Sequence, residues 1–238
     1  MENVLVVGAS GELGSSVIKK LKGKGRQFIL HYHSNKSAVD DLAKHLEQSE
    51  LLLTVNADLA LESSVKEMIE RIPFSIDTII FAQGIAGSTL LTETNLDDMD
   101  QMYHIHLKSV MMISKAFLPE MVTKKSGNIV VVSSIWGEIG ASNEVVYSSM
   151  KGAQNAFVKS LAKEVGPSQV RVNAIAPGFV DTQMNAHISQ EEVEQFIEQI
   201  PLSRVALVDE VASAIDFLIS EQSSYINGHI LRVNGGMY

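Results

Sequence analysis

Short apolar runs alternate with longer amphipathic segments along the whole chain. The apolar runs are rich in β-branched residues and predict strands at 3–8, 27–32, 51–57, 77–82, 127–134, 170–176 and 229–234. Because these runs are almost continuously apolar, they are typical of strands buried on both faces of a parallel sheet. The segments between them predict helices at 12–23, 36–48, 61–71, 96–124, 147–165, 189–199 and 208–220.

This alternation predicts an α/β fold with a doubly wound, seven-stranded parallel sheet. No linker, repeat or low-complexity tract interrupts the pattern, so residues 1–238 are expected to form one domain. The least regular stretch follows the sixth strand. Ligands of open α/β sheets bind outside the carboxyl ends of the strands, so residues 183–204 are a candidate substrate lid.

The composition narrows the class of protein. The chain is 45% hydrophobic and 20% charged, as is ordinary for a soluble globular protein, and its net charge of −9 disfavours a nucleic-acid partner. It has no cysteine, which excludes disulfides and fits a reducing compartment. The pattern of a signal peptide is absent, and no apolar run approaches the roughly 20 residues of a membrane span. We expect a cytoplasmic protein that does not enter a membrane.

A glycine-rich turn, VVGASGELG at 6–14, follows the first predicted strand and opens the first helix. Gly8 can adopt backbone angles that other residues avoid, and Gly14 allows the helix to pack closely on the strand. The helix N-terminus would then face a pyrophosphate. The spacing is G-x-x-G-x-x-G, so a tight turn without a ligand is the alternative. The candidate cofactor contacts in this turn are Gly8, Ser10, Gly11, Leu13 and Gly14.

The end of the second strand selects the ribose in dinucleotide-binding folds, where an acidic residue binds the 2′-hydroxyl of NAD. Here LHYHSNKSAVDD, at 30–41, has no carboxylate before Asp40. Ser34, Asn35 and Lys36 offer donors and one cation instead, which predicts NADP; a polar loop with an exposed lysine is the alternative. After the third strand, Asp58 is a candidate acceptor for the adenine amino group or a helix cap, with Leu59 beside it.

Tyr147 and Lys151 are four residues apart in a predicted helix, so both side chains can point into the same small volume. A cation beside a phenol stabilises the phenolate and lowers a pKa that is ordinarily about 10. Such a pair can serve as a proton donor or acceptor near neutral pH. The alternative is a contact on the helix surface.

Four motifs, taken together, resemble the short-chain dehydrogenase/reductase family over essentially the whole chain. They are GASGELG at 8–14, the set Ser134, Tyr147 and Lys151, VNAIAPGFVDT at 172–182, and YINGHILRVNGGMY at 225–238. Within that family the chain is most similar to 3-oxoacyl-acyl-carrier-protein reductases. The block SSIWGEIGASNEVVYSSMKGAQNAFVKSLAKE also resembles reductases that act on 5-aminopentanone-modified elongation factor P.

The resemblance implies a mechanism and an assembly. Tyr147 would protonate a carbonyl oxygen as hydride arrives from NADPH, Lys151 would bind the nicotinamide ribose, and Ser134 would orient the substrate. Ser133 is the neighbouring, structural alternative to Ser134. Relatives are usually tetramers, so a homotetramer or dimer is expected. Further residues implied to contact the cofactor are Gly84, Pro177, Gly178, Val180 and Thr182.

Three positions depart from the family pattern. Glu12 stands where the shorter branch of the family has its second glycine, and FAQG at 81–84 keeps only Gly84 of the usual NNAG. His106 replaces an asparagine that holds a water in a proton relay. An imidazole can take part in a relay, and a packed helix histidine is the alternative. The pairs His31/His33 and His104/His106 lack a third ligand, so no metal site is predicted.

The leading hypothesis is therefore an NADPH-dependent carbonyl reductase acting on a 3-oxoacyl thioester. A reductase of modified elongation factor P and a catalytically inactive NADP-binding scaffold are the alternatives, and an NAD-dependent sugar dehydrogenase is disfavoured. An acyl-carrier-protein partner is acidic and would require basic residues such as Lys124, Lys125 and Arg171. A substrate with a terminal amine would instead favour acidic residues such as Glu138 and Glu144.

Overall fold

The computed structural model describes residues 1–185 and 188–238. Its centre is one sheet of seven strands, all parallel, in the order β3-β2-β1-β4-β5-β6-β7. The strands are Glu2–Val7 (β1), Arg26–Tyr32 (β2), Leu51–Asn56 (β3), Thr78–Phe81 (β4), Gly127–Val132 (β5), Val170–Pro177 (β6) and Ile230–Val233 (β7). All seven predicted strands and the doubly wound single-domain fold are confirmed.

Helices cover both faces of this sheet. They are Glu12–Leu21 (α1), Lys36–Ala43 (α2), Glu62–Glu70 (α3), Leu96–Tyr103 (α4), Ser109–Lys124 (α5), Trp136–Ile139 (α6), Val145–Val165 (α7), Gln190–Glu198 (α8) and Val208–Ile219 (α9). A π-helical turn, His104–Lys108, separates α4 from α5. The helix predicted at 96–124 is therefore interrupted, and the short helix α6 was not predicted at all.

The core has two layers because neighbouring residues of each strand point to opposite faces. Leu5 and Val7 of β1 are fully buried in the cluster formed with α3, α5 and α7. Val4 and Val6 are fully buried on the other face, in the cluster formed with α1, α2 and α9. Burial on both faces is the physical reason why the strands read as continuous apolar runs.

The topology opens a crevice between β1 and β4. The chain continues from β1 to β2 on one side of β1, whereas β4 pairs on the other side. The loops that leave the carboxyl ends of β1 and β4 diverge there, which is where doubly wound sheets bind ligands. Gly8 occupies this point with φ +85°, and a Cβ atom on it would lie 2.7 Å from the backbone nitrogen of Gln83.

Within residues 1–185 and 188–238, no helix has the length and apolar character needed to cross a bilayer.

Replacing Gly14 by alanine tests the close packing of α1 on the glycine turn. A Cβ atom at this position would lie 2.3 Å from the carbonyl oxygen of Gly8, so Gly14→Ala is expected to lower the free energy of unfolding by about 3 kcal/mol. Gly11→Ala is the matched control, because its nearest atom would be 3.5 Å away and its φ is −78°. Urea unfolding measures both variants; equal losses would contradict the packing argument.

Candidate functional site

Ser134, Tyr147 and Lys151 converge at the carboxyl end of β5. Ser134 lies just after that strand, and α7 carries the other two side chains. The hydroxyls of Ser134 and Tyr147 are hydrogen-bonded, and the Lys151 Nζ atom lies 5.4 Å from the centroid of the Tyr147 ring. The structure thus brings all three together. Ser133 points elsewhere, since its hydroxyl donates to the carbonyl oxygen of Lys151 at 3.3 Å.

Burial dominates the acidity of the tyrosine. It raises the pKa of Tyr147 to about 12, the negative charge of Glu144 adds to the effect, and the Ser134 hydrogen bond opposes it. The sequence suggested the opposite direction, because it showed the nearby lysine but not the desolvation. In this environment Tyr147 holds its proton at neutral pH and is suited to donate it.

Lys151 is a buried amine with one backbone partner. Its Nζ atom donates to the carbonyl oxygen of Val132 at 2.8 Å, and burial lowers its pKa to about 7. A group with a pKa near 7 exchanges protons readily at physiological pH. Lys151 can therefore release a proton near neutral pH, and in its protonated form it carries a positive charge beside the Tyr147 ring.

His106 lies within the π-helical turn and is fully buried. Its Nε2 atom is 2.9 Å from the carbonyl oxygen of Ile85, and its ring meets the Tyr147 ring edge-on with centroids 5.4 Å apart. Burial, followed by the charge of Lys151, lowers the pKa of His106 to about 3. The neutral ring thus connects Ile85, after β4, to Tyr147 of α7. Its buried Nδ1 atom has no hydrogen-bond partner within the described part of the chain.

A cavity of about 200 Å³ lies at the β1–β4 crevice and collects part of the residues predicted to hold a cofactor. Six of them line it: Gly8, Ser10, Gly11, Asp58, Leu59 and Gly84. Leu13 packs against the core below the turn, and Gly14 provides the close helix approach. His31 and His33 also line the cavity, a role that the sequence patterns did not indicate.

The predicted ribose selector lies away from the candidate cofactor cavity. Ser34, Asn35 and Lys36 do not line the cavity. Asn35 instead caps α2 by accepting from the Ala38 nitrogen at 3.1 Å, and Lys36 forms an ion pair with Asp40 at 2.7 Å. Local hydrogen bonds within a new helix compete with a ligand for such side chains.

Asp58 and His33 line the cavity, whereas the three predicted selector residues do not. The Asp58 Oδ1 atom accepts from the Ala60 nitrogen at 2.9 Å, which closes a turn ahead of α3 and does not cap the helix itself. Its other oxygen lies 3.8 Å from the Nε2 atom of His33. The two side chains therefore present one acceptor and one potential cation to the same ligand volume.

The segment after β6 is fixed by backbone contacts to β7 and to Ala206. Pro177 ends the strand, and the Gly178 nitrogen donates to the carbonyl oxygen of Val233 at 3.0 Å. Val180 pairs with Ala206 in an isolated bridge. The carbonyl oxygen of Thr182 accepts from the Asn185 nitrogen at 2.9 Å, at the start of the predicted lid.

The predicted lid contains a 3-10 turn at Gln183–Asn185 and the helix α8; Ala186 and His187 lie outside the described residues. Glu12 accepts from the Gln183 nitrogen at 2.7 Å, so its carboxylate is engaged with this segment. Phe196 of α8 packs between Trp136 and Phe179, with centroid distances of 6.3 and 5.1 Å. Through Trp136, this aromatic contact connects α8 to α6, the short helix that follows Ser134.

The two candidate substrate carboxylates have different surroundings. Glu138 forms a two-oxygen ion pair with Arg232 at 3.0 and 3.1 Å and accepts from the Tyr238 hydroxyl. This placement does not support the expectation that Glu138 meets a substrate amine. Glu144 lines a cavity of about 180 Å³ next to Tyr147, together with Asp98, Gln101 and Asn143.

The geometry fits a bound dinucleotide. The N-cap of α1 is Gly11, which has no side-chain cap, so the first N–H groups of the helix remain available to a phosphate. A Cβ atom on Gly8 would collide with the backbone of Ala82 and Gln83, so the close approach of the glycine turn to the end of β4 requires glycine here. As for metals, no group of three His, Cys, Asp or Glu side chains within 1–185 and 188–238 is arranged to hold an ion.

Comparisons with known proteins agree with this fold. A protein-family model described as enoyl-(acyl carrier protein) reductase matches residues 8–238. An uncharacterized oxidoreductase of Bacillus subtilis is 43% identical over 242 residues, covering 100% of this chain and 99% of the relative. A 3-oxoacyl-acyl-carrier-protein reductase of Aquifex aeolicus is 34% identical over 240 residues, covering 98% and 96%.

A solved structure shows the same architecture. The crystal structure of a 3-oxoacyl-acyl-carrier-protein reductase from Brucella melitensis matches with a TM-score of 0.90 at 26% identity, covering 100% of this chain and 91% of that one. The chain belongs to the short-chain dehydrogenase/reductase family. It is an oxidoreductase of that family, whose members bind nicotinamide cofactors.

The buried histidines predict a loss of stability in acid. The pKa of His106 is about 3 and that of His31 about 4, against 6.5 in an unfolded chain. Below pH 6.5 the unfolded chain binds more protons, so the free energy of unfolding falls as the pH falls towards these values. His106→Asn should reduce that decline by about 1 kcal/mol per pH unit.

Urea unfolding at several pH values between about 7 and 4 measures this decline. His45→Asn, at an exposed position after α2, is the control and is expected to keep the wild-type slope. A wild-type slope in His106→Asn would show that this ring does not resist protonation in the folded state.

Proposed function

We propose that the protein is an NADPH-dependent carbonyl reductase that converts a ketone to a secondary alcohol. The observation that carries this proposal is the convergence of Ser134, Tyr147 and Lys151, which His106 connects to Ile85 in the wall of the glycine-turn cavity. A proton donor, a second hydroxyl donor and a buried amine at one carbonyl-sized position are what carbonyl reduction requires.

Each side chain has a distinct task in this mechanism. NADPH, when bound, supplies the hydride that reaches the carbonyl carbon. The Tyr147 hydroxyl gives its proton to the carbonyl oxygen, and its raised pKa keeps that proton in place beforehand. The Ser134 hydroxyl orients the same oxygen. Lys151, with a pKa near 7, replaces the proton that Tyr147 has given up.

His106 is the residue we propose in place of the relay asparagine. Its ring lies edge-on to Tyr147, and its Nδ1 atom is buried without a partner among the described residues. When Nε2–H donates to Ile85, Nδ1 is left as an acceptor. In that tautomer His106 can receive a hydrogen bond from a water on the path to Lys151.

NADP is the proposed cofactor because no carboxylate ends β2. Asp40, the first one in the following segment, is paired with Lys36. His33 stands at the end of β2 and lines the cavity, where its imidazole can donate to a 2′-phosphate. Asp58 is then left to bind the adenine amino group. We place the reaction in the cytoplasm, in agreement with the absence of cysteine.

A 3-oxoacyl thioester is the first proposed substrate, because a relative named as a 3-oxoacyl-acyl-carrier-protein reductase is 34% identical to this chain. The substrate would enter under residues 183–204, with Phe196, Trp136 and Phe179 forming an apolar wall. Such a wall suits an acyl chain. If the acyl group is delivered by an acyl-carrier protein, that protein must also dock near the entrance.

The charges of the described residues favour a second candidate, the reduction of 5-aminopentanone-modified elongation factor P. Lys124 is paired with Glu120 at 3.1 Å, and Arg171 donates to the carbonyl oxygen of Leu218 at 2.8 Å. Both side chains are engaged within the chain, whereas Lys125, the third basic candidate, is exposed. The cavity beside Tyr147 instead contains Glu144 and Asp98, which would attract a substrate amine.

An inactive cofactor-binding scaffold is the least supported alternative. Its sequence basis was the set of departures Glu12, FAQG and His106. Glu12 engages Gln183, and His106 packs against Tyr147, so these two replacements have defined partners in the site. A protein without catalysis has no need to keep the Ser134–Tyr147–Lys151 geometry.

We also propose that the protein assembles as a homotetramer or dimer. A groove of about 430 Å³ between α5 and α7 is lined by apolar side chains, including Met111, Leu118 and Phe157. A second copy of the same face would cover it. Phe117 of α5 and Val158 of α7 are buried in the core and do not contribute to this face.

Tyr147→Phe tests the proposed function. It removes the proton donor and keeps the ring, so turnover should fall by at least about 1,000-fold while NADPH binding is retained. The assay follows NADPH oxidation with an acetoacetyl thioester and with 5-aminopentanone-modified elongation factor P, with NADH in parallel. Wild-type protein that binds NADPH and reduces neither substrate would support the scaffold alternative.

Glu144→Gln tests which carbonyl is preferred. If Glu144 binds a substrate amine, the ratio of kcat/KM for the modified protein to that for the thioester should fall about tenfold, equivalent to about 1.4 kcal/mol. Glu138→Gln is the matched control, because that carboxylate is held by Arg232. A ratio that is equally unchanged in both variants would exclude Glu144 as the amine site.

A further inference from the structure

His31 is a buried titratable residue to which the proposed chemistry assigns no role. It lies near the end of β2, is 2% exposed, and borders the cofactor cavity. Its Nδ1 atom accepts from the Gly8 nitrogen at 3.0 Å, and its Nε2 atom is 3.1 Å from the carbonyl oxygen of Ala57. Both ring nitrogens therefore have backbone partners.

These two partners define the state of the ring. A backbone N–H can only donate and a carbonyl can only accept, so Nδ1 must carry a lone pair and Nε2 a hydrogen. The imidazole is thus the neutral Nε2–H tautomer with its hydrogen-bonding capacity satisfied. Burial agrees with this, since it lowers the pKa of His31 to about 4, with a smaller contribution from His33.

The side chain connects three segments that are distant in sequence. Gly8 begins the turn after β1, His31 belongs to β2, and Ala57 ends the β3 segment just before Asp58 and Leu59. The main chain repeats the first connection, because the Ala9 nitrogen donates to the carbonyl oxygen of His31 at 2.8 Å. The glycine turn and the Asp58–Leu59 edge face each other across the cofactor cavity.

We propose that His31 is a positioning residue for the adenosine half of the nicotinamide cofactor. It acts through Gly8 and Ala57: the imidazole sets the separation between the turn that receives the pyrophosphate and the edge that receives the adenosine. An apolar residue of similar size would leave the Gly8 N–H and the Ala57 carbonyl buried without partners. The two walls would then separate or admit water, and the adenosine pocket would lose its shape.

This inference rests on the binding of a nicotinamide cofactor but not on the choice of NADP over NAD. It also concerns one half of the cofactor only. Tyr147 and Lys151 lie on α7, away from the β2 end, so the hydride-transfer geometry is not held by His31. Cofactor affinity should therefore respond to substitution much more than kcat at saturating cofactor.

The experiment compares three variants that remove different bonds. His31→Leu loses both partners. His31→Asn keeps an oxygen near the Nδ1 position for Gly8, and His31→Gln keeps an amide near the Nε2 position for Ala57. His45→Asn, at an exposed position outside the cavity, is the control. Calorimetry gives Kd for NADP⁺, NAD⁺ and 2′,5′-ADP, and thermal unfolding without ligand gives the stability of each variant.

We expect the Kd for NADP⁺ and for 2′,5′-ADP to rise at least about tenfold in His31→Leu and about threefold in His31→Asn and His31→Gln. Partial rescue by the two amides, at matched thermal stability, is the signature of positioning. Values within twofold of wild type in all variants, whatever their melting temperatures, would overturn the proposal. If His31→Leu does not fold, the two amide variants decide the question.

The result is separable from the proposed function. A wild-type protein that binds NAD⁺ and not NADP⁺ would refute the proposed cofactor preference, and His31 would then be judged by the Kd for NAD⁺ and 5′-AMP. A wild-type protein that binds neither dinucleotide would overturn both. An unchanged Kd in the variants of an active NADPH-dependent reductase would refute the role of His31 alone.

Discussion

Parallel pairing of β1 with β2 on one edge and with β4 on the other is the constraint on which the site depends. Because all seven strands are parallel, their carboxyl ends lie on the same side of the sheet. Residues that are far apart in sequence therefore meet at this edge. The glycine turn, the end of β3, the β5 serine and the β6 loop all use this edge. Gly8, Asp58 and Ser134 therefore lie on short extensions of buried strands, which limits their freedom to move, whereas Tyr147 and Lys151 are brought to the same edge by α7.

Regular elements could be predicted because their signals are local. A strand buried on both faces is apolar throughout, and β5 was recognised on that basis alone. The pair Tyr147 and Lys151 could be proposed from helical spacing, whereas Ser134 was chosen over Ser133 only through the family resemblance. The cofactor cavity followed from the glycine turn and Asp58.

What the sequence could not predict depends on competition and on distant partners. Lys36 was expected to meet a phosphate, but Asp40 lies one helical turn away and takes its charge. Glu138 is held by Arg232, which is 94 residues distant, and no local pattern reports such a pair. The π-helical turn around His106 leaves the helical hydrophobic pattern almost unchanged, so the sequence pattern does not reveal this interruption of the helix. Burial, which raises the pKa of Tyr147, is likewise a property of the folded chain.

The aromatic contact of Phe196 has a consequence for how this enzyme can diversify. None of the residues of α8 is buried in the core. Phe196 attaches the helix through the rings of Trp136, in α6, and of Phe179, which follows β6. Exchange of the other α8 side chains would leave the sheet and its two core layers untouched. If α8 covers the substrate, as we propose for residues 183–204, these side chains can vary and change the substrate range with little loss of folding stability, while Phe196 keeps the helix in place.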